Sequence, residues 1–258
     1  MRELTTPAGA RLRYRDEGAG DDALLLIHGW CSSGRAWERT ARAFARRFRV
    51  VRVDLRGHGA SRAPERAGYR WDDFAEDVQA VVGRLALARI VAVGHSMGSP
   101  VALELAARLP GAVAGVVAVD GLSGLGLTAE RAATHPWIRA LTPTSTAETR
   151  RRLVGAFLPA DARGREIVAG DAARADPGAA LQAYRDSVVT GSPREAWRES
   201  VRPFLYVGAS ESRRTAADVR AVIPHAQFGQ VVNSGHYVQL DAAEQLHAML
   251  DRFLAELP

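Results

Sequence analysis

The sequence predicts an α/β fold: a mostly parallel central sheet flanked by helices on both faces, with a helical lid inserted in its second half. Three observations predict it. Apolar runs of strand length alternate with helical patterns through residue 120; the alternation stops between 122 and 200; and it then resumes to the end of the chain. Alternation of this kind builds βαβ units, whose strands lie parallel and are covered on both faces.

Element by element, residues 2–6 and 11–16 read as an opening hairpin broken by Pro7-Ala8-Gly9. The runs Ala23 to Ile27, Phe48 to Val53, Ile90 to Val93 and Val113 to Val119 are continuously apolar, as strands buried on both faces must be. Helices are expected over Ala36 to Phe48, Trp71 to Leu85 and Pro100 to Leu109. The second is the clearest, because Trp71, Phe74, Val78, Val81, Val82 and Leu85 fall on one stripe. Residues 122–200 are rich in Gly, Ala, Arg and Pro, with helix-like pieces around 146–157 and 178–189. The sheet pattern returns with a strand at Pro203 to Val207, a helix at Ala216 to Val222, a strand at Gln227 to Val232 and a helix from Ala242 to Leu257. The core is therefore assigned to 1–121 and 201–258, and the lid to 122–200.

Composition narrows the function classes. A chain of 258 residues that is 47% hydrophobic and 24% charged has the make-up of a soluble globular protein with a sizeable core. Its net charge is +5, yet every basic residue is arginine, and the densest runs, Arg46-Arg47-Phe48-Arg49 and Arg150-Arg151-Arg152, read as solvated helix faces. Neither has the aromatic interleaving of a nucleic-acid surface, so no nucleic-acid partner is expected. A single cysteine, Cys31, excludes an internal disulfide framework and paired-cysteine metal sites, and it reads as a small buried residue. The first residues lack an apolar leader, and no apolar run reaches the ~20 residues that span a bilayer, so a cytoplasmic protein without a membrane partner is expected.

The chemistry is concentrated at strand ends. Ile90 to Val93 leads into Gly94-His95-Ser96-Met97-Gly98 and then a helix. A serine on so sharp a strand-to-helix turn projects its hydroxyl above the sheet edge, and glycines two residues to either side spare a backbone clash. Ser96 is the candidate nucleophile. Leu25-Leu26-Ile27-His28-Gly29-Trp30 is a second strand end, where the backbone N–H of Trp30, with that of Met97, could form an oxyanion hole. His28 reads as structural.

With Asp54-Leu55-Arg56-Gly57-His58-Gly59-Ala60-Ser61 and Asn233-Ser234-Gly235-His236, these motifs resemble the α/β-hydrolase fold superfamily, in its serine esterase and lactonase branch, over nearly the whole chain. The resemblance implies that the Asp54 to Ser61 segment is a structural turn, and that the triad runs nucleophile, acid, histidine. His236 then falls in place as general base. Relatives often carry the acid in the loop after the strand at 203–207, but here that loop reads Gly208-Ala209-Ser210-Glu211-Ser212. Ser210 stands where their aspartate would. Asp120, after the preceding strand, is the favoured acid, as in haloalkane dehalogenases; Glu211 is the alternative, with Asp218 more distant.

The expected reaction is hydrolysis of a small-molecule carboxylic ester or lactone through an acyl-enzyme, without metal or organic cofactor. Perhydrolase or carbon–carbon bond hydrolase chemistry would use the same triad. A ligand-binding or receptor protein on the same scaffold is the alternative from another class. Trp30, Leu122 and Trp137 are the residues expected to line the substrate pocket.

Overall fold

The computed structural model describes residues 1–122, 140–142, 144–189, 195–200, 203–212 and 214–257. Its strands are β1 (Arg2–Thr5), β2 (Arg11–Glu17), β3 (Asp22–Ile27), β4 (Arg49–Asp54), β5 (Arg89–His95), β6 (Val113–Val119), β7 (Phe204–Gly208) and β8 (Gln227–Gln230). They form one sheet in the order β1-β2-β4-β3-β5-β6-β7-β8. The β1–β2 hairpin adds antiparallel to β4, and every other pairing is parallel. From β3 the chain steps to β4 on one side and then crosses to β5 on the other. Such a switch point opens a crevice at the carboxyl ends of the strands, where ligands bind in open α/β sheets.

Side chains alternate between two apolar layers. Leu25 and Ile27 of β3 join the larger core under α2 (Trp71–Arg84) and α3 (Gly98–Arg108). Leu24 and Leu26 face the opposite layer, with Phe44 of α1 (Glu38–Phe44) and Leu246, Leu250 and Phe253 of the last helix. Burial on both faces is what the unbroken apolar runs encode.

Two expectations are corrected. The helix anticipated over 36–48 is a 3-10 turn, Gly34–Trp37, followed by the short α1. The carbonyl of Phe44 accepts both Arg47 N–H and Phe48 N–H, at 2.9 and 3.0 Å, and this closes the helix before β4. In the insertion, α4 (Ala147–Val154) and α6 (Pro177–Val189) match the expected pieces, but α5 (Ala162–Arg174) lies between them unannounced. Its buried face, Gly164, Ile167, Val168, Asp171 and Ala172, includes a carboxylate and a glycine, so the apolar period is interrupted and helix propensity is low.

A short helix, α7 (Glu195–Ser200), leads back to the sheet. Its Trp197 is fully buried, stacks 5.3 Å from Trp71 and donates its indole N–H to Glu104 Oε2 at 3.2 Å. The closing elements are α8 (Ala216–Val222), β8 and α9 (Ala243–Ala255). Among the described residues no helix is long and apolar enough to cross a membrane.

The segment after β4 is a turn held by charge. Asp54 accepts the N–H groups of Gly34 and Ala60 at 2.8 and 2.9 Å, and Arg56 makes a two-point ion pair with buried Asp77 at 2.6 and 2.7 Å. His28 accepts Leu55 N–H at Nε2 (2.9 Å) and donates from Nδ1 to Gly29 O (2.7 Å), so it ties the β3 and β4 loops together. Its ring lies 5.5 Å from that of His58. Both rings are fully buried, and burial lowers the pKa of each to about 4.

The unfolded chain binds these two protons near pH 6.5 and the folded one only near about 4. Unfolding therefore takes up protons in that interval, and stability must fall as the pH drops through it, by up to ~1.4 kcal/mol per pH unit for each ring. Urea unfolding followed from neutral pH downward should show this slope, and His58→Gln should lessen it by one proton. An unfolding free energy that is flat over the interval contradicts the assignment of neutral buried rings.

Candidate active site

The site begins at the end of β5. Ser96 has φ of 50°, in the left-handed region, and its N–H donates to Val119 O of the neighbouring β6 at 3.0 Å. The flanking glycines are there for space. A Cβ on Gly94 would lie 2.2 Å from Gly98 O, and one on Gly98 would lie 2.4 Å from Ile27 O. The start of α3 is thus pressed against the end of β3. Ser99 locks the turn by donating its hydroxyl to Gly94 O at 2.8 Å.

The loop after β3 lies over this turn. A Cβ on Gly29 would meet Ser96 Cβ at 3.1 Å, which puts the His28-Gly29-Trp30 backbone against the serine. Met97 caps the N-terminus of α3, where first-turn N–H groups have no acceptor within the helix and the dipole is positive. The Trp30 indole N–H donates to Ala180 O of α6 at 2.8 Å, and its ring lies 5.3 Å from Tyr184. Cys31 is buried and holds φ of 51°.

From the far side, His236 arrives six residues beyond β8. Its loop is sewn to the loop after β7: Ser210 Oγ accepts Ser234 N–H at 2.8 Å, and Ser210 N–H donates to Ser234 O at 3.2 Å. Ser210, where the resemblance leads one to expect an aspartate, is thus used here as a tether. Asp120 Oδ2 lies 2.7 Å from His236 Nδ1, and Asp120 Oδ1 accepts Ala209 N–H at 3.2 Å. Burial works against the charged carboxylate. The hydrogen bond from His236, with those of Ala209 and Ser212, nevertheless holds its pKa below the ordinary value. Glu211 is exposed on the same loop, and Asp218 is occupied capping α8 with Thr215.

Two further side chains frame the His236 ring. His95 lies 4.7 Å away, ring to ring, and its Nε2–H donates to His236 O at 2.9 Å. Burial, then the proximity of His236, lowers the His95 pKa to about 3. Phe157 sits 5.2 Å from the same ring on the insertion side and is 40% exposed. Leu122 follows Asp120-Gly121 with its side chain buried in the larger core. Trp137 lies outside the described residues. Among those residues no group of three His, Cys, Asp or Glu side chains could hold a metal ion.

The comparisons bear on the fold. A family model described as the alpha/beta hydrolase fold matches residues 22–243. A 2-(acetamidomethylene)succinate hydrolase of Mesorhizobium japonicum is 37% identical over 109 residues, which are 42% of this chain and 38% of that protein. The chain spans only about a third to two fifths of the curated relatives it matches in this way. A carboxylesterase structure from Nitrososphaera gargenis superposes with a TM-score of 0.85 at 20% identity over 98% of both chains. The enol-lactonase of Burkholderia xenovorans superposes with a TM-score of 0.81 at 21% identity, covering 99% of this chain and 100% of that one.

The tight approach of α3 to β3 is testable through its glycine. Gly98→Ala should cost at least about 2 kcal/mol, because backbone meets backbone and no side chain can yield. Gly83→Ala, on α2 with nothing within 4 Å of the added carbon, should instead gain up to about 1 kcal/mol. Equal urea midpoints for the two variants would refute this account of the turn.

Proposed function

The chain belongs to the α/β-hydrolase fold family, and from that premise we propose that it is a serine hydrolase cleaving a carboxylic ester or lactone through an acyl-enzyme. One observation carries the reading: the 2.7 Å contact between His236 Nδ1 and Asp120 Oδ2, on loops that converge over the strained turn bearing Ser96. Asp120 fixes the tautomer that leaves Nε2 as the base. Ser96 Oγ attacks the carbonyl carbon while Nε2 takes its proton, and the Trp30 and Met97 N–H groups receive the developing oxyanion. Collapse of the tetrahedral intermediate expels the alkoxide, protonated by His236. A water activated by the same ring then attacks the acyl-enzyme and releases the acid.

Further support comes from the charge on Asp120. A carboxylate held below its ordinary pKa stays ionised and can stabilise the imidazolium that forms in each half-reaction. The relatives whose names denote esterase, lactonase and amide-type hydrolysis share the fold, and acyl transfer to water is the chemistry common to those names. Trp30, Leu122 and Trp137 are the residues proposed to line the substrate pocket, and Phe157, beside the His236 ring, is proposed as a further one.

Short-chain p-nitrophenyl esters provide the test. Ser96→Ala should lower kcat by at least about 10⁴-fold, and a fluorophosphonate should label Ser96 in the wild type. Asp120→Asn should cost roughly 10²- to 10⁴-fold in kcat, as expected for loss of the orienting acid, while Glu211→Gln stays close to wild type. Equal turnover by wild type and Ser96→Ala overturns the serine mechanism. A near-normal Asp120→Asn enzyme removes Asp120 from the triad. Tight ester binding without any turnover would favour the ligand-binding reading.

A further inference from the structure

The loop bearing Trp30 is held from two sides. On the core side, His28 bonds Leu55 and Asp54 accepts Gly34 N–H. On the insertion side, Trp30 donates to Ala180 O of α6 at 2.8 Å, and Ser33 Oγ donates to Asp171 Oδ2 of α5 at 2.5 Å. Between these two insertion contacts sits Cys31 with φ of 51°. A left-handed non-glycine residue costs on the order of 1 kcal/mol and persists only where its surroundings over-determine it.

Asp171 is a costly residue for its place in α5. Its side chain is 0% exposed, on a helix face otherwise formed by Ile167, Val168 and Ala172. It stands in the last turn of α5, where a negative charge opposes the helix dipole. Burial pushes its carboxyl above the usual range, against the hydrogen bond from Ser33 and the charges of Arg174 and Arg35. Cations are gathered around it in compensation. Arg174 pairs with Oδ1, and Arg35 lies 3.6 Å away. An apolar residue would pack here without any of this apparatus. Ser33 is committed in turn: its hydroxyl donates to Asp171 and accepts Arg35 N–H at 3.2 Å as cap of the 3-10 turn.

We propose that Asp171 is a positioning residue for the oxyanion-stabilising N–H of Trp30, acting through Ser33. The insertion is then a structural part of the oxyanion hole as well as a cover over it. This rests on the reading of Trp30 as an oxyanion donor. A donor displaced by ~1 Å can cost about 10²-fold in rate, so a contact two helices away from the serine controls catalysis without touching substrate.

The test compares Ser33→Ala, Asp171→Ala, the double variant and Asp171→Asn, each assayed below its melting temperature. The readouts are ester kcat and KM, and the rate of fluorophosphonate labelling at Ser96, which needs the same N–H donors whatever the natural substrate. Both alanine variants should lose tenfold or more in kcat and in labelling rate, with KM within twofold. The double variant should lose no more than either single one. Asp171→Asn, which keeps an acceptor for Ser33, should recover most of the rate. Unchanged kcat in the alanine variants, losses that add in the double variant, or an Asn variant as slow as the alanine one would each overturn the proposal. Wild-type protein that neither turns over esters nor takes the label overturns the underlying reading of Ser96, and the proposal with it.

Discussion

Everything at the carboxyl edge of the sheet depends on how closely α3 is pressed onto the end of β3. Gly98 sits where any side chain would strike the carbonyls of Ile27 and His28, and Gly94 where it would strike Gly98 itself. That approach forces Ser96 into the left-handed region and brings the loop after β3 over it. Several polar groups on these loops find their partners within the protein. His28, Asp54, Ser99 and the Ser210–Ser234 pair do so with bonds between 2.7 and 3.2 Å.

The polar residues buried around this edge share one logic. Arg56, Asp77 and Asp171 gain little as stabilising ion pairs once desolvation is counted, and Asp54 accepts backbone N–H groups. What they supply is direction, because a charged acceptor in a low-dielectric setting holds its donor in one place. Asp120 belongs to the same group. Its carboxylate meets a histidine on one oxygen and the Ala209 backbone on the other, so its aim is set by two loops at once.

Much of this was legible in the residues, for identifiable reasons. β3 to β6 announce themselves because strands buried on both faces must be apolar throughout, and the elbow does so because its glycines are a steric necessity. Where packing was set by tertiary partners, the sequence was mute. α5 hides because Asp171 interrupts its apolar period, and that residue makes sense only beside Ser33, far away in the chain. The anticipated helix over 36–48 stops early because Phe44 O takes two donors, a bond pattern that propensity does not contain. His95 frames the His236 ring through a contact between distant loops, which no spacing rule records. The proposed acid illustrates the middle case: the sequence reduced it to a short choice, and the meeting of two loops is what favours Asp120 over exposed Glu211.

The return of the chain from β6 to β7 has a consequence for how such proteins diversify. Parallel neighbours need a crossover, and α7 supplies the end of one, anchored by Trp197 on Glu104 and Trp71. The segment before it is topologically surplus. Because loop-closure entropy grows only logarithmically with length, that segment can be lengthened, shortened or exchanged between scaffolds while the sheet keeps its register. The fold therefore separates a sheet edge that carries the candidate site from an insertion whose length the sheet does not fix. A graft that replaces the insertion without an acceptor for Ser33 would remove the partner of a residue on the loop after β3.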